Sequence, residues 1–240
     1  MQSGLRFVLI VAAVISSLSF LGFMLMAAIQ IPAFNMWFYH WQFGANDTYN
    51  VVNMQPDHLH YVTRHMLSYL RGRQDYLQIY AMVGDLYRPF FSEIELLHMV
   101  DVRAMSRLSI TLRNIFALTF LASFVPFVLL RFKVKNGLAY LFKAWRYVSV
   151  GLFGLIGVLT IIISINWTRA WVFFHEISFS NEYWLLDPRH NLLINIVPHE
   201  FFFAMTVFIG VFFGLSLVIL FLAGFFFKRL IPQRGGLRLP

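Results

Sequence analysis

Four apolar runs, each long enough to cross a lipid bilayer, constrain this chain more than any other feature. A spanning helix needs about 20 predominantly apolar residues. The runs occupy roughly Phe7–Ile31, Leu108–Leu130, Tyr147–Ile165 and Phe201–Phe227. Of the 240 residues, only 12% are charged, whereas soluble domains carry about 25%. We therefore predict an all-α membrane protein, with residues 1–240 forming a single integral membrane domain of four transmembrane helices.

The distribution of charge predicts how these helices are oriented. The segment Arg131–Arg146 and the C-terminal tail from Lys228 contain basic residues and no acidic ones, and Arg6 precedes the first run. By the positive-inside rule, both termini and this short loop are expected on the cytoplasmic side. The net charge of +8 then indicates contact with anionic headgroups rather than with nucleic acid.

All carboxylates and histidines fall in two outer segments, residues 35–107 and 166–200. These segments are expected to form an α-rich extracytoplasmic cap, with helices near 61–70 and 77–86 and at most one short hairpin. Trp167, Trp171 and Trp184 are typical of residues that anchor a protein at the headgroup level. We expect any chemistry to take place in this cap, because the four runs are poor in ionisable residues.

Two kinds of site are disfavoured by residue type. The chain has no cysteine, which excludes disulfides, a thiolate nucleophile and cysteine-bound metal. His58, His60, His65 and His40 raise the possibility of a metal site, but their spacing offers no third ligand at zinc-like geometry, so no metal is predicted. No serine lies in a GxSxG elbow, and Ser92 is better explained as a helix cap.

The stretch Ser92–Arg107 is predicted to be a helix that continues into the second run. Ser92 followed by Glu95 matches a capping box. Helical spacing places Ile94, His98, Asp101 and Met105 on one face, with Arg103 on the opposite side. A histidine with a carboxylate one turn away is suited to proton transfer near neutral pH. A histidine at this position can also simply pack at the membrane interface, and the same holds for His175 in the second outer segment.

Two motifs in these segments resemble the lipoprotein intramolecular transacylase family of Gram-positive bacteria. The first is FFSEIELLHMVDVR, which contains His98-Met99 and Asp101-Val102. The second is FFHEISFSNEYWLLDPRHNLLINIVPHEFF. Its matching positions are Phe174-His175, Phe179, Asn181, Trp184, Asp187-Pro188, Leu193-Ile194 and Pro198. Together with the four-span layout, the resemblance extends over nearly the whole chain.

The resemblance implies an enzyme of the bacterial cytoplasmic membrane that acts on diacylated lipoproteins. It would move the sn-2 acyl chain of the diacylglyceryl group to the α-amine of the N-terminal cysteine, without a cofactor. We expect His98 and His175 to be catalytic, with Asp101, Arg103 and Asn181 in support. The expected partners are the lipoprotein and membrane lipid, with the enzyme acting as a monomer on the outer face.

Two other functions fit the same residues. One is a non-enzymatic membrane assembly or sensor protein, in which the aromatic outer segments bind a partner and the histidines respond to pH. The other is a lipid hydrolase that uses the same histidines to activate water. The products distinguish them, because a hydrolase removes an acyl chain whereas a transacylase relocates it.

Overall fold

The protein is described by a computed structural model that covers residues 2–134 and 136–230, with the side chains of 228–230 left out. Its elements in chain order are α1 (Gln2–Phe34), α2 (Met36–Ala45), α3 (Thr48–Val51), α4 (Pro56–Leu70), β1 (Tyr80–Val83), β2 (Leu86–Pro89), α5 (Glu93–Ala122), α6 (Val125–Leu129), α7 (Leu138–Ile165), α8 (Trp167–Ser178), α9 (Leu193–Ile196) and α10 (His199–Leu230). Lys135, Arg234 and Arg238, which contribute to the predicted orientation, lie outside the described residues.

The predicted all-α membrane fold with four transmembrane helices is confirmed. Within the described residues, four helical stretches are long and apolar enough to cross a membrane: Gln2–Phe34, Glu93–Leu129, Leu138–Ile165 and His199–Phe227. Three of them contain a predicted run, and the fourth, Glu93–Leu129, begins well before its predicted run and ends one residue short of Leu130. Many large apolar side chains on these helices are exposed, as expected for surfaces that face lipid.

The chain contains two compact units. The first draws on the described residues within the ranges Met1–Met26, Leu112–Ile161 and Val211–Pro240. Two apolar clusters form its interior, one around Leu9, Ala13 and Leu141 and the other around Leu21 and Leu217. Small residues allow close packing here, since the Phe116 ring lies 2.8 Å from where a Cβ on Gly22 would be. The prediction of one domain over the whole chain stays a prediction.

The second unit comprises Ala27–Thr111 and Ile162–Gly210 and holds every predicted site residue. Its core gathers aromatic and aliphatic side chains from the first outer segment, such as Phe38, Phe43 and Leu59. Leu193 and Ile196 of α9 belong to the same core. The part of the second outer segment around α9 is therefore packed into the hydrophobic interior of this unit.

The prediction of a helix near 77–86 is wrong, because most of this stretch belongs to an antiparallel hairpin. β1 pairs with β2 in the register Tyr80↔Pro89 to Val83↔Leu86, around a two-residue turn at Gly84 and Asp85. Gly84 has φ +60, which favours glycine, and its N–H donates to the Asn53 carbonyl at 2.7 Å. Glycine followed by aspartate between two short apolar runs is a hairpin signal, and it outweighs the weak amphipathic pattern.

Candidate active site

His98 on α5 and His175 on α8 are brought together in the second unit. Their ring centroids lie 6.4 Å apart, and the ring planes are inclined by only 29°. The two residues are 9% and 6% exposed, respectively. Two histidines from separate outer segments therefore face each other in a buried setting, as the sequence-based assignment of both to one site requires.

His175 is fixed by a hydrogen bond within its own helix. Its Nδ1 lies 2.8 Å from the Trp171 carbonyl oxygen, which can only accept, so Nδ1 carries the proton in this arrangement. In the neutral ring the lone pair is then on Nε2. Burial lowers the pKa of His175 below its ordinary value of 6.5, and the Trp171 carbonyl opposes that shift to a smaller extent. The structure thus favours a neutral imidazole with one free acceptor nitrogen.

His98 has a nitrogen available for a partner from outside the protein. Its Nδ1 is buried and has no hydrogen-bond partner within the described part of the chain. A buried polar atom without a partner is costly, so such atoms are uncommon and often belong to functional sites. The rings of Phe179 and His98 pack edge to face at a centroid distance of 5.2 Å.

Aromatic rings enclose His175. The centroid of Trp171 lies 4.3 Å from that of His175, Trp184 lies at 4.8 Å, and Phe179 lies at 5.6 Å. The sequence suggested a headgroup-level position for both tryptophans and did not indicate this contact. The i, i+4 spacing of Trp171 and His175 on one helix was the available signal.

Asp101 and Asn181 form a direct link between α5 and the second outer segment. Asn181 Nδ2 donates to Asp101 Oδ2 at 2.9 Å, and Asn181 Oδ1 accepts from the Tyr183 N–H at 3.1 Å. The Asp101 carboxylate therefore bonds to Asn181 rather than to Nδ1 of His98. Both predicted supporting residues lie near the histidine pair, and their visible role is to hold the segment that follows α8 on α5.

Arg103 contacts a different region. Its guanidinium donates to the Gln74 carbonyl at 2.9 Å, pairs with Asp75 at 3.0 Å and stacks over the Tyr69 ring at 4.5 Å. These contacts join α5 to the turn after α4. The structure does not bring Arg103 to the histidine pair, which agrees with its predicted location on the opposite face of the helix.

Glu95 is a feature of this region that the sequence interpretation underestimated. The capping-box spacing suggested a local role at the start of α5, and the Ser92 N–H does donate to Glu95 Oε2 at 2.6 Å. The other carboxylate oxygen, Oε1, accepts from the backbone N–H of Leu193 at 2.6 Å, across 98 positions of sequence. Glu95 is 1% exposed, so a buried carboxylate joins the two outer segments.

The remaining histidines of the first outer segment do not converge on a common point. His60 Nε2 shares a hydrogen bond with the Tyr49 hydroxyl at 2.8 Å, and its ring packs against His40. His65 packs against Tyr61 instead. Within residues 2–134 and 136–230, no three or more histidine, aspartate or glutamate side chains form a possible metal site. A cavity of about 600 Å³ beside His58 is lined by neither His98 nor His175.

Four apolar helices and a buried histidine pair define a multi-pass membrane protein with a site suited to acid–base chemistry. Residues 14–202 match the family model described as "Lipoprotein intramolecular transacylase Lit". The match covers well over half of the chain, so the protein belongs to the lipoprotein intramolecular transacylase family. The predicted family is confirmed, and with it the prediction of a membrane-bound intramolecular transacylase.

Solved structures support the same fold. The membrane integral lipoprotein intramolecular transacylase Lit from Bacillus cereus superposes with a TM-score of 0.69 at 19% identity, covering 92% of this chain and 97% of that one. A form of that enzyme with a histidine-to-arginine mutation gives 0.68 at 18% identity, covering 95% and 94%. A histidine-to-alanine form gives 0.67 at 19% identity, covering 92% and 94%. A search of curated protein sequences gave no match.

Proposed function

We propose that this enzyme moves the sn-2 acyl chain of a diacylglyceryl lipoprotein to the α-amine of its N-terminal cysteine, giving the lyso form. In this reaction the amine nitrogen bonds to the acyl carbon, and the bond from that carbon to the sn-2 oxygen breaks. One proton leaves the amine and one reaches the released glyceryl oxygen. Donor and acceptor belong to one molecule, so the proposal requires neither cofactor nor second substrate.

His175 is the proposed base and His98 the proposed acid. The hydrogen bond from His175 Nδ1 to the Trp171 carbonyl leaves Nε2 as an acceptor for the amine proton. The same carbonyl stabilises the imidazolium that forms when Nε2 is protonated. His98 then donates a proton from its unpaired nitrogen, Nδ1, to the glyceryl oxygen, and the proton taken up by His175 replaces it, so that both imidazoles end in the neutral form in which they began. The low pKa of His175 supports this assignment, because the base must be neutral before reaction.

The distance between the two rings is the single observation that carries the proposal. A general acid or base must lie about 2.6–3.2 Å from the atom with which it exchanges a proton. With ring centroids 6.4 Å apart, an ester group that lies along the nitrogen-bearing edges of the two rings can be close to both histidines at once. Much of the rate acceleration would then arise from positioning, because an intramolecular reaction needs its two ends held together.

A direct transfer without an acyl-enzyme also agrees with the residues present. The chain contains no cysteine to act as a nucleophile. Ser92, which the sequence suggested as a helix cap, uses its hydroxyl to donate to Glu95 and to accept from Asn191 Nδ2. That hydroxyl has no histidine beside it that could activate it. Burial of both histidines limits access of water, which favours transfer to the amine over hydrolysis.

Sidedness follows from the charge distribution. We place both termini in the cytoplasm and the histidine pair on the outer face of the bacterial cytoplasmic membrane, where a monomer would meet lipoprotein and membrane lipid and no nucleic acid. The absence of native cysteine allows a direct test, because Arg189→Cys and Lys133→Cys each introduce one exposed thiol. A membrane-impermeant maleimide should label the first in intact cells and the second only after lysis. The reverse pattern would contradict the placement.

Tandem mass spectrometry of a lipoprotein N-terminal peptide tests the reaction. With the enzyme present, total mass should stay constant while one acyl chain moves to the cysteine nitrogen. His98→Ala and His175→Ala should each abolish the product, whereas His190→Ala, an exposed histidine in the same segment, should not. Loss of one acyl chain would indicate a hydrolase. An active His98→Ala or His175→Ala variant would remove the catalytic assignment.

A further inference from the structure

The second outer segment is attached to α5 at two points, on either side of His98. Asn181 bonds to Asp101, three residues after His98, and Leu193 bonds to Glu95, three residues before it. On an α-helix, positions three residues apart lie on nearly the same face. His98 therefore lies between two attachments of the chain that begins directly after the helix carrying His175.

The attachment at Glu95 is the more extensive of the two. Glu95 Oε2 accepts from the Ser92 N–H at 2.6 Å and from the Ser92 hydroxyl at 2.7 Å, while Oε1 accepts from Leu193. Asn191 extends the connection, since its Nδ2 donates to the Ser92 hydroxyl at 3.0 Å. Asn191 Oδ1 in turn accepts from the Asp187 N–H at 2.9 Å.

A helix cap alone would not require this arrangement. A buried carboxylate is costly unless its oxygens are hydrogen-bonded, and local capping uses only one of them. The second oxygen binds a backbone N–H from the second outer segment, so removing Glu95 leaves the buried Leu193 N–H and the partly buried donors of Ser92 without their acceptor. Its strongest structural effect is thus to fix residues 187–193 against the start of α5.

We propose that Glu95 is a positioning residue for the acyl transfer: it holds the second outer segment on α5 so that His98 and His175 keep the separation that the reaction requires. Glu95 is not a catalytic residue, because it bonds to Ser92 and Leu193 rather than to either histidine. This inference rests on the proposed function. The bond between Glu95 and Leu193 is thus a second link between α5 and the second outer segment, in addition to the bond between Asp101 and Asn181.

Kinetics of Glu95→Gln and Glu93→Gln provide a matched test. Both substitutions remove one negative charge from the first turn of α5, but Glu93 is exposed whereas Glu95 is buried. In Glu95→Gln, the new amide group faces a backbone donor where an acceptor is needed. We expect kcat to fall by about 10²-fold, as for a small displacement of reacting groups, with KM nearly unchanged. Glu93→Gln should keep the original kcat.

Hydrogen–deuterium exchange of the full-length enzyme in nanodiscs supplies the structural readout. Glu95→Gln should accelerate exchange in peptides covering residues 187–196, because one amide oxygen replaces the two carboxylate oxygens that accept from Leu193 and Ser92, and Glu93→Gln should not. The pH at which the rate falls to half should stay the same in Glu95→Gln, since the histidines remain chemically unaltered. A lower kcat with unchanged exchange, or with a shifted pH profile, would overturn the positioning role.

Asn191→Ala is a second, milder variant that tests the same link if Glu95→Gln does not fold. It removes the bond to Ser92 but leaves Glu95 with both backbone donors, so a reduction in kcat of about fivefold and faster exchange in 187–196 are expected. Full activity of Asn191→Ala with faster exchange would contradict the proposal. If neither variant accumulates as folded enzyme, Glu95 serves folding and the proposal fails.

The exchange result separates this inference from the proposed function. If His98→Ala and His175→Ala turn out to be active, the acid–base assignment fails. Faster exchange in Glu95→Gln would still establish the structural link in that case. If the histidine variants are inactive and Glu95→Gln is fully active, only the positioning role fails.

Discussion

Exchanging Asp101 and Asn181 tests how the second outer segment is held near the histidines. Asn181→Asp replaces the donor at 2.9 Å with a second carboxylate. The lost bond to a charged acceptor amounts to about 1.5 kcal/mol for a half-buried pair. Two charges about 4 Å apart repel by about 1 kcal/mol in water and about 4 kcal/mol at a dielectric constant near 20. Taking an intermediate repulsion, we expect the free energy of unfolding to fall by about 3 kcal/mol.

The double variant D101N/N181D should recover most of this loss. The amide now at position 101 can donate to the carboxylate at position 181, so one charge-assisted hydrogen bond is restored in the opposite direction. Asp101→Asn alone should cost about 1 kcal/mol, because the bond becomes neutral. A coupling energy of about 3 kcal/mol between the two positions is expected, which leaves the double variant about 1 kcal/mol less stable than the original protein. The free energy of unfolding of the original protein, the two single variants and the double variant can be measured by titration with sodium dodecyl sulfate in mixed micelles. If the effects of the two single substitutions add to within about 0.5 kcal/mol of that of the double variant, the reasoning is refuted.

Activity of the same variants separates geometry from charge. In D101N/N181D the negative charge moves from α5 to the neighbouring segment, while the link between them is kept. If Asp101 acts by holding Asn181, the rate should recover together with stability. If the carboxylate instead acts on His98 through its charge, stability recovers and the rate stays low. Acyl relocation measured by mass spectrometry distinguishes these outcomes.

Three further predictions follow from individual contacts. Because burial lowers the pKa of His175 below 6.5, kcat/KM should decline with acidification only below that pH. Trp184→Ala exposes the His175 ring and should move the pH midpoint of kcat/KM upward. A downward shift of that midpoint would contradict the role of burial. Arg103→Ala should lower the free energy of unfolding by about 1 kcal/mol through its lost ion pair and cation–π contact. Its acyl-transfer rate should change less than threefold, whereas a larger loss at unchanged stability would place Arg103 in the site. Gly84→Ala should lower the free energy of unfolding by about 2 kcal/mol, more than Gly72→Ala does. Both glycines have positive φ, but only at Gly84 would a Cβ lie 2.9 Å from the side-chain amide nitrogen of Asn53. Equal losses for the two variants in thermal unfolding would refute the steric part of this argument.

The features that could be predicted from the sequence are those set by local patterns. Apolar length identified the four spans, because a bilayer imposes a minimum length that few other environments share. Helical spacing identified His98 and Asp101 as neighbours on one face of α5, and the capping-box pattern identified its start. The hydrogen bond between Asp101 and Asn181 was not expected from the sequence, which named each only as a supporting residue. The catalytic roles of these residues stay predictions.

Long-range partners could not be read from local spacing. Glu95 matches a capping pattern, yet nothing in that pattern indicates that its second oxygen bonds to Leu193, 98 positions away. Trp171 and Trp184 have the composition of interfacial anchors, and only the folded chain shows that they pack on His175. The position of the hairpin was missed for another reason, since a weak helical periodicity over 77–86 was given more weight than the glycine–aspartate turn.

The two attachments on α5 also restrict how the length of this helix can change during evolution. Adding one residue between Glu95 and Asp101 would rotate one attachment relative to the other by about 100° and shift it by about 1.5 Å. A single outer segment could then no longer meet both positions, even if every side chain were kept. Members of the family should therefore vary in length elsewhere, as in the turn at Gly72 where a side chain would meet open space, while the six-residue interval on α5 stays constant.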